Sequence, residues 1–301
     1  MNIDLTGAMG LDIMISRMGD IIDAKLAERF GPAGTPPKAK RRIKPATTHD
    51  NSRVLVVPDL HVPYNHPDAF SFLVAVRDWL KPTRVICTGD EVDNHAMSFH
   101  TSDPDLDSAG PELEKSRAGM AELERHFKQL DLVTSNHGSL SRRKAYEHGI
   151  PERLITHYRH TLFGETEDDG TVEYPEDRGA GWWWHDELVI DLPDGRHAVM
   201  RHTWGANLKL MAQRNGCCLI QGHHHGLLDV QHAQLARQRI WSLTAGCLVD
   251  PECPAMAYGR GNAVQPMIGC AAIIDSEPCA IPMPLDRRGR WTGRLPVVPT
   301  A

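Results

Sequence analysis

Aspartate, asparagine and histidine gather at the ends of apolar runs in this 301-residue chain. Val54 to Val57 runs into Asp59-Leu60-His61, and Arg84 to Thr88 runs into Gly89-Asp90-Glu91-Val92-Asp93-Asn94. Leu130 to Thr134 leads to Ser135-Asn136-His137, Ala198 to Arg201 to His202, and Cys217 to Ile220 to Gly222-His223-His224-His225. Alternate residues of an extended segment project the same way, so Asp-X-His and His-X-His each offer a pair of donors to one small site. Imidazole and carboxylate donors without cysteine suit borderline or hard divalent ions (Zn, Mn, Fe, Co or Ni) and argue against a cysteine-based structural zinc site. Two such ions sharing one carboxylate, about 3.5 to 4 Å apart, hold a phosphate between them, activate a water and offset the charge of the transition state. Phosphoester hydrolysis is the chemistry such a site performs well.

Other polar and aromatic residues carry weaker signals. A lone His202 would by itself read as a core histidine, and His224 should point away from its two neighbours. Arg142, Arg143 and Lys144 follow the Asn136-His137 turn, either as phosphate contacts or as helix-surface charge. Trp182, Trp183 and Trp184 are expected to anchor a long loop, ahead of stacking on a base or an aromatic leaving group. His95, His100 and Trp204 stand near the site in sequence and are candidates for its substrate side.

The elements that must position these residues follow from the apolar runs. Short Val/Ile/Leu-rich strands are predicted at 54–57, 84–88, 130–134, 188–192, 198–201, 217–220, 240–243 and 270–274, with helices over 67–80, 111–130 and 206–214. Strand-helix units come first and mostly strands later, predicting an α/β fold of two packed mixed sheets flanked by helices. In such sheets ligands gather at the carboxyl ends of the strands, where the five motifs fall. Residues 1–30 carry Leu11, Met14, Ile15, Met18, Ile21, Ile22 and Leu26 at helical spacing, which predicts an amphipathic helix outside the core. That helix either docks on the core or pairs with a second subunit as a homo-oligomer contact. Residues 31–50 read as a Pro/Gly-rich basic linker, and 51–301 as the catalytic domain. Seven scattered cysteines do not form a secreted disulfide framework, and no apolar run is long enough to span a membrane. A soluble, cytoplasmic protein is expected. The net charge of -6 does not indicate a nucleic-acid partner, and a phosphoester substrate needs a local source of positive charge.

The order Asp59-Leu60-His61, Gly89-Asp90-Glu91-Val92-Asp93, Asn136-His137, His202 and Gly222-His223-His224-His225 resembles the calcineurin-like metallophosphoesterase superfamily over residues 53–275. The resemblance implies that Asp59, His61 and His225 hold one metal, that Asp90 bridges, and that Asn136, His202 and His223 hold the other. It also implies that His137 acts as general acid or charge stabiliser at the leaving oxygen, oriented by Asp93. Two departures stand out. Ser135 and Gly138 flank the Asn-His pair where family members usually have Gly before it and an acidic residue after it. Asn94-His95 follows Asp93 where the protein Ser/Thr phosphatase branch has Arg-Gly, the Arg binding phosphate. Asn94, Arg142 and Arg143 are therefore the expected substrate contacts, and a phosphodiester or nucleotide stands slightly ahead of a phosphomonoester or phosphoprotein. Competing readings are a DNA nuclease, a Ser/Thr protein phosphatase and a non-catalytic metal-binding scaffold. Asn136-His137-Gly138-Ser139 together with Gly246-Cys247-Leu248 is also similar to bacteriophage-encoded members of the superfamily.

Overall fold

A computed structural model describes residues 49–99, 105–167, 171–255 and 264–296. The helix expected over 1–30, nearly all of the 31–50 linker, and His100 lie outside the described residues. Two mixed sheets carry the fold. The first has the order β13-β12-β1-β2-β3-β6 and the second the order β10-β11-β9-β8-β7. In the first, β1 (Arg53–Val57), β2 (Arg84–Cys87), β3 (Leu130–Val133) and β6 (Trp182–His185) run parallel, and β12 (Gly269–Ile274) and β13 (Glu277–Pro282) continue it antiparallel. In the second, β8 (His197–Met200), β9 (Cys218–Gln221) and β11 (Arg239–Ala245) are parallel, with β7 (Leu188–Asp191) and β10 (Leu228–Gln234) antiparallel at the edges. A two-stranded ribbon pairs β4 (Glu165–Thr166) with β5 (Val172–Glu173).

The first sheet is apolar on both faces, as parallel strands covered on both sides must be. Its alternation separates two cores. Val54, Val56, Ile86, Val133, Ala271 and Ile273 join Ile190, Met200, Ile220 and Leu243 of the second sheet in one buried cluster. Leu55, Val57, Cys87, Leu132 and Ala272, one residue out of phase, join the helices. There α1 (Ala69–Leu80) buries Ala69, Phe72, Leu73, Val76 and Leu80, an i, i+3, i+4, i+7 stripe, and ends where Lys81 takes left-handed backbone ahead of Pro82. Helix α2 (Ala109–His126) adds Met120 and Leu123, and α4 (Tyr158–Phe163) adds Leu162 and Phe163. Helix α3 (Leu140–Glu147) follows β3, and α5 (Leu208–Asn215) links β8 to β9.

Against the sequence reading, the helix expected over 111–130 begins at Ala109 and stops at His126, because Leu130 is already the first residue of β3. The three tryptophans form a strand, β6, that pairs with β3, and do not anchor a loop. Trp182 is buried and donates its indole N–H to Phe127 O, whereas Trp183 is half exposed.

Candidate metal centre

Every strand that ends in a donor points its carboxyl end to one place, and the backbone there is unusual. Among the described residues seven non-glycine residues have positive φ, and four of them, His61, Asp90, Asn94 and His223, belong to this cluster. Such conformations cost of order 1–3 kcal/mol each and persist only where surrounding contacts impose them. Here the contacts are visible: Leu60 N and His61 N both donate to Asp90 O, at 3.0 and 2.8 Å, stitching the β1 loop to the β2 loop. His223 N donates to Asp59 Oδ2 at 2.6 Å. Gly222 is obligatory, because a Cβ on it would lie 2.1 Å from Asp59 Oδ1. Gly89, at φ +92°, turns the chain into Asp90.

The structure brings Asp59, His61, Asp90 and His225 into one group and Asp90, His202 and His223 into another, with Asp90 common to both. His61 Nε2 is 3.1 Å from His225 Nε2 and 3.4 Å from Asp90 Oδ2. His225 Nε2 is 3.4 Å from Asp59 Oδ2. On the other side of Asp90, His202 Nε2 is 3.2 Å from Asp90 Oδ2 and 3.2 Å from His223 Nδ1. Spacings of about 3 to 3.4 Å are the edges of a tetrahedron or octahedron around an ion with bonds of ~2.1 Å. Asn136, the residue before His137, offers a different observation. Its Oδ1 is buried without a hydrogen-bond partner, a cost that a cation beside it would remove.

Hydrogen bonds behind the donors set their tautomers. His61 Nδ1 lies 2.5 Å from Asp93 Oδ1, so Nδ1 donates and Nε2 is left as the inward donor atom. His202 Nδ1 donates to Thr88 O at 2.9 Å, with the same result. Thr88 Oγ1 also donates to Asp59 Oδ1 at 2.7 Å. Thr88 is thus an orienting residue that the sequence reading missed, although its place immediately before Gly89-Asp90 was a usable signal.

Protonation in the cluster is tightly coupled. Burial pushes the Asp59 carboxyl up, but its hydrogen bond to His225 and the charge of His202 outweigh it and leave it below its ordinary range. Burial also opposes ionisation of Asp90, whose contacts with His202 and His61 hold it well below. The reciprocal effect overcomes burial at His202, pushed up to about 9 by Asp90, and at His61, raised by Asp90 and Asp93. Burial and the neighbouring His202 push His223 down to about 4. Two ionised carboxylates facing imidazoles that retain protons form a site that cations can enter by displacing those protons. With two dications the same carboxylates would leave a local positive charge, the field that the acidic chain otherwise lacks.

His137 stands beside this cluster and outside it. Its ring meets that of His61 edge to face at 4.5 Å, and its backbone N–H donates to Asp90 Oδ1 at 3.1 Å. Nδ1 lies 2.5 Å from Asp93 O and 3.1 Å from Asp93 Oδ1. Burial opposes its protonation, but the hydrogen bond to Asp93 prevails and raises its pKa. Asp93 therefore faces His61 and His137, with its carboxylate closer to His61 and its carbonyl closer to His137, while His95 Nδ1 stands 3.8 Å from its Oδ2.

The expected substrate contacts sit differently. Asn94 is buried and donates Nδ2 to His137 O at 3.0 Å, so it fixes the backbone of that residue. Arg142 pairs with Glu152 at 3.1 Å, and Arg143 lies over the Phe99 ring at 4.8 Å. Trp204 stacks against Arg201 at 4.2 Å, and His224 is turned to Gly205 O at 3.2 Å. Glu112, buried on α2, went unnoticed in the sequence. It accepts His95 N and Ala96 N at 2.6 and 2.8 Å and so holds the segment that follows Asp93 and Asn94.

No protein family and no curated protein matches the chain. Among solved structures, the phosphoesterase YfcE from E. coli matches at 11% sequence identity and a TM-score of 0.35, over 80% of this chain and 96% of that one. No described helix is long and apolar enough to cross a membrane.

Proposed function

We propose that the protein is a dinuclear metal-dependent phosphoesterase, with a phosphodiester or nucleotide as the favoured substrate class. The observation that carries this reading is the pair of donor groups sharing Asp90, completed by the unpartnered carbonyl of Asn136. Asp59, His61, Asp90 and His225 would hold one ion, and Asp90, Asn136, His202 and His223 the other. When bound, the two ions would supply the charge that holds a phosphate and the Lewis acidity that activates a water.

The remaining work belongs to the chain. Asp93 and Thr88 keep His61 and His202 turned with Nε2 inward. His137, with Nδ1 turned to Asp93, offers Nε2 to the substrate and protonates the departing oxygen. Asn94 and Asp90 fix the backbone on either side of that imidazole. No side chain needs to form a covalent intermediate. A preference for diesters is supported by the placement of Arg142 and Arg143, which are engaged with Glu152 and Phe99. A phosphomonoester, with its extra charge, would gain most from such cations.

The test is hydrolysis of bis-p-nitrophenyl phosphate and p-nitrophenyl phosphate by the purified chain with Mn²⁺. Turnover of both, with the diester ahead, is the expected result. Absence of turnover with every divalent ion across a broad phosphoester panel would leave the site a metal-binding scaffold.

A further inference from the structure

A cavity of about 400 Å³ opens behind the Asn136–His137 turn, within the usual size range of small-molecule sites. Ser135 and Gly138, which bracket the two site residues, form part of its wall, as does Glu91, the residue after Asp90. Trp184 and Tyr158 supply aromatic walls, their rings edge to face at 5.5 Å, and Ser141 and Thr156 bring hydroxyls. Glu91 is buried and accepts the Trp184 indole N–H on Oε1 at 3.0 Å. Its Oε2 and the Tyr158 hydroxyl are buried side by side, each bearing on the other's ionisation.

We propose that this cavity binds a nucleobase, an uncharged planar ring carrying N–H donors, as part of the leaving group of the phosphoester. An anion is disfavoured, because the one guanidinium in the wall, Arg142, is already paired with Glu152, and the wall carries two acidic residues, Glu91 and Glu152. An aliphatic chain would strand the carboxylate and the hydroxyls without partners. A flat heterocycle satisfies both requirements: it packs against the aromatic corner formed by Trp184 and Tyr158, and its edge meets Glu91, Ser141 and Thr156. Ser135 and Gly138 line the cavity on either side of Asn136 and His137 in the chain, which sets it next to the proposed reaction site.

The role in catalysis rests on the phosphoesterase reading, whereas binding does not, and the experiment separates the two. The full chain, with Zn²⁺ and again after EDTA treatment, is titrated with adenosine, guanosine, cytidine and uridine while the Trp184 indole resonance, assigned with Trp184→Phe, is followed by NMR. The expected result is a saturable shift in both states, with a Kd of about millimolar or tighter. Thr156→Trp, at the exposed rim, should abolish it, and Glu91→Gln should weaken it about tenfold. Retained near-ultraviolet dichroism shows that both variants fold. Absence of any shift with all four nucleosides, or an equal shift with ribose or choline, overturns the base pocket even if diester hydrolysis is robust. A nucleoside shift in a chain that hydrolyses no phosphoester upholds the pocket and overturns the reaction.

Discussion

At the scale of single residues, metal binding and proton transfer fall to different side chains. His137→Ala should leave metal content unchanged, measured by mass spectrometry of the dialysed protein, and lower kcat by about 10²- to 10⁴-fold, the usual contribution of a general acid. Asp93→Asn touches both functions, because its carboxylate lies 2.5 Å from His61 Nδ1 and 3.1 Å from His137 Nδ1. It should weaken metal affinity by about 10- to 100-fold, as loss of an orienting carboxylate does. It should lower kcat further than metal saturation restores. If saturating metal fully recovers the rate, Asp93 serves His61 alone. Gly222→Ala is expected to be more damaging than either, since its Cβ would fall 2.1 Å from Asp59 Oδ1 and 2.6 Å from Thr88 Oγ1. Metal binding to that variant, followed by calorimetry, should be lost.

At the scale of elements, a polar cluster ties β2, β3 and β6 together. Arg84 on β2 donates from Nε and a terminal nitrogen to Asp131 Oδ2 on β3, at 2.9 and 2.8 Å, and His185 on β6 faces Asp131 Oδ1 at 2.9 Å. Burial raises the Asp131 carboxyl, but His185 and Arg84 outweigh it and leave the pKa lowered. A depressed folded-state pKa contributes stability above the ordinary value of 3.8 and loses it as pH falls below that value. Asp131→Asn should therefore destabilise the fold at pH 7 by about 1 to 3 kcal/mol, the cost of leaving charged partners unsatisfied. Urea denaturation should show the gap between variant and wild type closing as pH drops below 4. A gap that stays constant with pH would mean the carboxylate charge contributes nothing.

The elements also show how far sequence carries. Strand ends with Asp59, Asp90, Asn136, His202 and His223 were legible, because apolar alternation locates strands and chain direction locates their carboxyl ends. Helix α1 was legible as a stretch over 67–80 and begins two residues later, at Ala69. Strand β6 was not: Trp182, Trp183 and Trp184 follow a glycine-rich stretch, and only pairing with β3 makes them a strand. The partners of Glu91, Glu112 and Thr88 were equally hidden. They join residues 93, 17 and 114 positions apart, contacts that no local pattern encodes.

At the scale of the whole molecule, the two sheets form a scaffold whose strained site residues are held by stitching contacts between loops. Metal binding should therefore stabilise the fold as well as enable chemistry. At free metal about a hundredfold above Kd, each ion adds ~2.7 kcal/mol. EDTA should lower the melting temperature, and divalent ion should restore it in a concentration-dependent way. The most direct measurement of the central claim is anomalous diffraction from crystals soaked in Mn²⁺. Two peaks about 3.5 to 4 Å apart are expected, with the Asp90 carboxylate between them. One of them should be ringed by Asp59, His61 and His225, and the other by Asn136, His202 and His223. A single peak, or ions bound away from Asp90, would contradict it.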